Sequence, residues 1–188
     1  MSILFGFTPF ILFALLASVS MSLALWVAFA ASFTLGIRDF ARTKTLRILD
    51  IGGIVLFGAL ALYVGFIQPG LKIQTVRLVV DCGLLLIALG SIVLRNPFTL
   101  AYARESTPRE IWATPAFLRA NYVITAVWTT AFALTCAADA VANFDNAFPY
   151  SLDVAIGLAA LGLAVIFTAR YRAHLRMQAG RARPTIRG

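Results

Sequence analysis

Long apolar runs broken by short polar connections set the pattern of this chain. From Ile3 to Leu35 no residue is charged. As continuous helix that run would be roughly 50 Å long, against about 30 Å for the hydrocarbon core of a bilayer. It is too long for one span and short for two. Pro9 stands in its first turns, and Ser18, Ser20 and Ser22 interrupt its middle. This predicts a short or re-entrant helix over about 8–19 and a second helix over about 21–37. One long, kinked helix is the alternative. Ala28-Phe29-Ala30 imitates a signal-peptidase site, but no basic segment precedes it and the run exceeds a signal core, so a retained membrane helix is expected.

A basic connection over 38–47 follows, holding Arg38, Arg42, Lys44 and Arg47 against Asp39. The next apolar run, about 48–67, ends at Gln68-Pro69-Gly70, a strong turn signal. Gly52, Gly53, Gly58 and Gly65 recur along it, as expected where another helix comes close. Further spans are predicted over about 71–94, 117–141 and 152–168. Between the last three runs lie a polar, aromatic segment, 95–114, and a short acidic loop holding Asp145 and Asp153.

Polar residues inside the runs mark faces. Asn121, Thr125, Trp128, Phe132, Thr135 and Asp139 are spaced by four, three, four, three and four, so they share one helix face. Such a stripe turns toward other helices or a cavity, not toward lipid. Arg77 and Asp81 stand four apart and predict a pair along one helix, continued by Leu84, Ala88, Ser91 and Arg95. Asp50, three residues after Arg47, fits a helix cap. Asp81 and Asp139 would share a proton if their spans adjoin. The segment carrying Arg95, Asn96, Pro97, Tyr102, Arg104, Glu105 and Trp112 is too polar to span. Its aromatics Phe98, Tyr102 and Trp112 suit the headgroup level, and Arg104 and Arg109 suit anionic headgroups, so it is expected to lie in the interface.

Composition sharpens the class. Of 188 residues 61% are hydrophobic and 13% charged, where a soluble domain has about 25% charged. This excludes an ordinary soluble domain. The net charge of +8 sits in connections and tail rather than on a patch, which argues against nucleic acid. Arg38, Arg42, Lys44 and Arg47 lie in one connection. Arg95, Arg104, Arg109 and Arg119 lie in a second. Arg170, Arg172, Arg176, Arg181, Arg183 and Arg187 end the chain. The alternating connections hold only Lys72 and Arg77, or none. By the positive-inside rule the rich segments and the C-terminus face the cytoplasm. The N-terminus is cytoplasmic if the first run is a hairpin, and external if it is one span.

The chemistry is sparse. The single histidine, His174, lies in the basic tail, and no metal-ligand or phosphate-loop spacing occurs. Cys82 and Cys136 lie in apolar runs and read as small buried residues. No catalytic residue, metal or cofactor is expected. Small residues at Ala24 and Ala28, and at Ala155 and Ala159, fit self-association or packing within one chain.

The segment Phe7-Thr8-Pro9-Phe10-Ile11-Leu12-Phe13 resembles the opening of the intracellular septation protein A family of bacterial inner-membrane proteins. The order of helices, Trp112, Asn121, Trp128 and Phe132 extend the resemblance over roughly residues 5–140. The chain departs from that family at Arg95–Glu105 and in a further helix after 150. The resemblance implies a role in cell-envelope upkeep or division through other membrane proteins, and it carries over no catalytic residue.

The expected fold is an all-α polytopic membrane helix bundle. It has about five full spans, a short N-terminal helix and one interfacial amphipathic segment. Residues 1–170 form the bundle and 171–188 a basic cytoplasmic tail. The expected function is that of a non-enzymatic protein of the bacterial inner (plasma) membrane. Its partners are the lipid bilayer and other membrane proteins, a second copy included, with no nucleic acid. The alternative is a small transporter or channel using the stripe on the 117–141 helix.

Overall fold

The computed structural model describes residues 5–145 and 148–181. Its described residues form seven α-helices and no strand: α1 (Thr8–Leu16), α2 (Met21–Thr43), α3 (Ile48–Leu62), α4 (Ile73–Val93), α5 (Phe98–Glu105), α6 (Pro115–Phe144) and α7 (Tyr150–Arg181). A π-helical turn, Tyr63–Ile67, extends α3. Five helices are long and apolar enough to cross a membrane, the mark of a multi-pass membrane protein: α2, α3 with its π turn, α4, α6 and α7.

The first apolar run divides at its serines, as two helices rather than one. Ser20 is extended and its hydroxyl accepts from the amide of Leu23 (3.4 Å), which starts α2 afresh. At nine residues α1 is about 14 Å long and cannot cross a bilayer. Phe5 lines the same recess as Arg38 and Arg42, so α1 and α2 form a hairpin that begins and ends at one end of the bundle.

The basic connection is shorter than the charges suggest. The α2 helix runs on through Arg38, Asp39 and Arg42 to Thr43, because Asp39 continues its buried face from Ala28, Ser32 and Gly36. The chain then turns at Lys44, whose backbone is left-handed (φ 55°). At the other end of α3 the expected turn at Gln68-Pro69-Gly70 is present, tied by the Tyr63 hydroxyl donating to the Gln68 side chain (3.0 Å). The last helix reaches Arg181, so most of the basic tail is a continuation of α7. Arg183 and Arg187 lie outside the described residues.

The α6 helix is the axis of the bundle. It packs along α4 on one side and α7 on another, and α5 folds back onto it. Neighbouring α3 and α4 close at glycine. A Cβ on Gly83 would stand 2.6 Å from Leu56, so this position admits no side chain without moving that leucine. Ala24 and Ala28 are fully buried within the chain, whereas Ala155 and Ala159 are exposed on α7.

Candidate functional site

The α6 stripe is internal. Asn121, Thr125, Trp128, Phe132, Thr135 and Asp139 are all buried. The Thr99 hydroxyl on α5 donates to the Asn121 carbonyl (3.1 Å) and shares a bond with the Thr125 hydroxyl (2.8 Å). The indole of Trp128 donates to Thr168 of α7 (3.0 Å) and stacks on Phe7 with ring centres 4.8 Å apart. Phe98 and Phe132 complete this aromatic cluster. The upper two-thirds of the stripe therefore bonds α5, α6, α7 and the start of α1 together.

Its last member belongs to a charged cluster. Arg77 of α4 bridges Asp139 of α6 (3.4 Å) and Asp153 of α7 (3.2 Å). These bridges run between helices, in addition to the interaction with Asp81 along α4 that the spacing predicted. The cause is position: Arg77 lies in the first turns of α4, and its long stem reaches sideways to the helix ends that meet there. Asp81 lies beside the Asp139 carboxyl and the Thr135 hydroxyl, so the spans that carry Asp81 and Asp139 do adjoin. Asp153, expected in a loop, is buried in the first turn of α7. Nearby, Thr75 donates to Asn143 (2.8 Å), and the free thiols of Cys82 and Cys136 are neighbours. Among the described residues no group of three His, Cys, Asp or Glu is arranged to hold a metal. The carboxylates instead surround a guanidinium, which supplies the counter-charge.

The second charged cluster lies at the opposite end, and Arg47 is its centre. Arg47 pairs with Asp39 of α2 (2.8 Å) and with Glu105 of α5, and its guanidinium lies 4.5 Å from the centre of the Tyr102 ring. Asp39 is buried and Tyr102 has no exposed surface. Burial raises the Tyr102 hydroxyl above its ordinary range, and the Asp50 carboxylate raises it further. Asp50 sits in the first turn of α3, as a cap would, with its carboxyl on the Arg47 backbone amide; it is also buried, and its Oδ2 makes no hydrogen bond. Sequence spacing missed Arg47 and Asp39 as site residues. Asp39 was recoverable, as the one acid of the basic connection and in register with the small-residue face of α2.

The segment 95–114 carries the short helix α5 expected before Pro108, and this helix packs on α6. Pro97, Phe98, Thr99 and Tyr102 point inward and are buried. The turn into α5 is fixed by Ser91, whose hydroxyl accepts from the Phe98 amide (3.1 Å), and by Arg95 in the left-handed region (φ 54°). Aromatic residues here found α6 and Arg47 to pack on, so only Trp112 remains half-exposed. Its indole donates to the Thr107 carbonyl (2.9 Å), and Arg104 and Arg109 lie over its ring at 5.4 and 5.7 Å.

Between this segment and the α2–α3 turn opens a cleft of about 610 Å³. Arg42, Arg47, Arg104 and Arg109 line it together with Asn96 and Trp112. Arg47 is paired with Asp39 and Glu105, and Arg38 supplies the second positive charge on Asp39. Among the described residues Arg42, Arg104 and Arg109 form no ion pair, and Arg104 Nε is buried without a hydrogen bond. The cleft offers positive charge and planar donors but no nucleophile paired with a base, so its chemistry is that of binding.

The chain matches no family model, no curated protein and no solved structure, and the resemblance to the septation family rests on the residues quoted for it.

Proposed function

We propose that this is a non-enzymatic membrane protein of the bacterial inner membrane. It serves cell-envelope upkeep of the septation type through contacts made at the face carrying Arg42, Arg47, Arg104 and Arg109. The observation that supports this reading is the division of polar groups. The α6 stripe is consumed in helix packing, while the arginine cleft at the Arg47 end stays open. The basic connections, this cleft and the end of α7 all fall on the side that the Lys/Arg bias makes cytoplasmic.

The test is made in the native host with chromosomal variants. Arg42→Glu with Arg109→Glu is expected to reproduce the envelope and division defects of a deletion while the protein still accumulates in the membrane. Asp81→Asn is expected to leave cells unaffected. The reverse result would reject the reading.

One observation favours a second reading, a small transporter: Arg77, Asp81, Asp139 and Asp153 meet inside the bundle, where charges are costly and mark ion or proton paths in pumps. Proton-dependent uptake that failed in Asp81→Asn and persisted in the cleft variant would support transport instead.

A further inference from the structure

The arginine cleft has a geometry that names its ligand more closely. We infer that it binds the phosphate of an anionic lipid headgroup drawn from the surrounding bilayer. This rests on the reading that the Arg47 end is the working face.

Three guanidinium groups reach the cleft with no carboxylate of their own: Arg42 from the end of α2, Arg104 from α5 and Arg109 from the short turn after it. Arg47, the fourth, is paired with Asp39 and Glu105, and Arg38 also pairs with Asp39, so the two acids are balanced by two arginines other than these three. Arg104 and Arg109 lie over the Trp112 ring at 5.4 and 5.7 Å, and Arg104 Nε is buried with its hydrogen bond unmade. Planar, oriented guanidinium groups bind phosphate oxygens two at a time, which a scattered basic surface does not.

The source of the phosphate follows from the apolar part of the cleft's lining. Leu46, which is 47% exposed, lines it together with the arginines. A site that sets an uncovered leucine against three cations, at the end of a membrane-crossing helix pair, suits an amphiphile. The headgroup sits among the arginines and the first carbons of the chain lie on Leu46. A free phosphate would leave that leucine in water. Basic groups at a membrane surface are drawn to anionic lipid, and a formed site concentrates that attraction.

The test uses the full chain with Trp26→Phe and Trp128→Phe, so that Trp112 is the sole tryptophan. It is reconstituted in phosphatidylcholine vesicles, in the same vesicles with added inorganic phosphate, and in vesicles of phosphatidylcholine with phosphatidylglycerol. A saturable change in Trp112 emission is expected only with phosphatidylglycerol, and it is expected to weaken about tenfold in Arg109→Gln, an exposed position whose loss leaves the core untouched. Native mass spectrometry of the chain with natural tryptophans should show one retained phosphatidylglycerol, lost in the same variant. An equal response to inorganic phosphate would overturn the lipid source. No response to either anion would overturn the phosphate site while leaving the envelope phenotype of the cleft variant as a separate matter. Equal weakening by Arg176→Gln, on α7 away from the cleft, would show diffuse surface charge and overturn the site.

Discussion

The Arg47 guanidinium lies over the Tyr102 ring, 4.5 Å from its centre, and pairs with Asp39 at 2.8 Å. One side chain thereby joins the end of α2, the start of α3 and the short α5. Its own side chain is only 11% exposed, so little water is left to replace a lost partner.

Arg47→Gln is expected to destabilise the fold by about 3–5 kcal/mol, since removing one partner strands the buried acid. Thermal unfolding in detergent measures it. Arg47→Lys should recover only part of the loss, because an ammonium neither stacks on the ring nor bridges two carboxylates in one plane.

The same pair gives a pH dependence. An unfolded tyrosine loses its proton at about pH 10, while buried Tyr102 holds its proton to higher pH. The folded state then binds more protons than the unfolded one above about pH 10. The stability from this group is complete below that value and falls as pH rises beyond it. Unfolding of wild type and Tyr102→Phe, compared between pH 8 and about 11, should show the steeper alkaline decline in wild type. Parallel curves would mean that Tyr102 is not shielded.

At the far end, Arg77 ties α6 to α7 through Asp139 and Asp153. Arg77→Gln and Asp153→Asn should each destabilise, and the double variant should cost less than the sum, with a coupling of about 0.5–3 kcal/mol. A double-mutant cycle in detergent reads this directly; strict additivity would deny the bridge.

Trp128 separates its polar from its apolar role. Trp128→Phe keeps most of the stacking on Phe7 and loses the bond to Thr168, for about 1 kcal/mol. Trp128→Ala opens the aromatic cluster and should cost about 3–5 kcal/mol.

Much of this architecture was legible in the sequence because membrane helices declare themselves by length and apolarity. The break at Ser20, the turn at Gln68-Pro69-Gly70 and the single face from Asn121 to Asp139 all appear where the residues put them. What spacing could not supply were partners between helices. Arg77 and Asp81 share a face and interact along α4, but a long side chain near a helix end also reaches the neighbours beside it, here Asp139 and Asp153. Phe98 and Tyr102 looked like headgroup aromatics because the segment is polar. Their inward turn depends on Phe7, Phe132 and Arg47, which come from three other parts of the chain. Arg47 itself looked like one loop charge among four.

The central claim, that the α6 stripe is packed and the arginine cleft open, is tested most directly by thiol accessibility in intact membranes. Single cysteines at Asn96 and Arg109 would be compared with cysteines at Asn121, Thr125 and Thr135 in a chain with Cys82 and Cys136 replaced. The account predicts rapid labelling of the first two by a small water-soluble reagent and none of the last three. Labelling along the stripe would contradict it and place an aqueous path through the centre of the bundle.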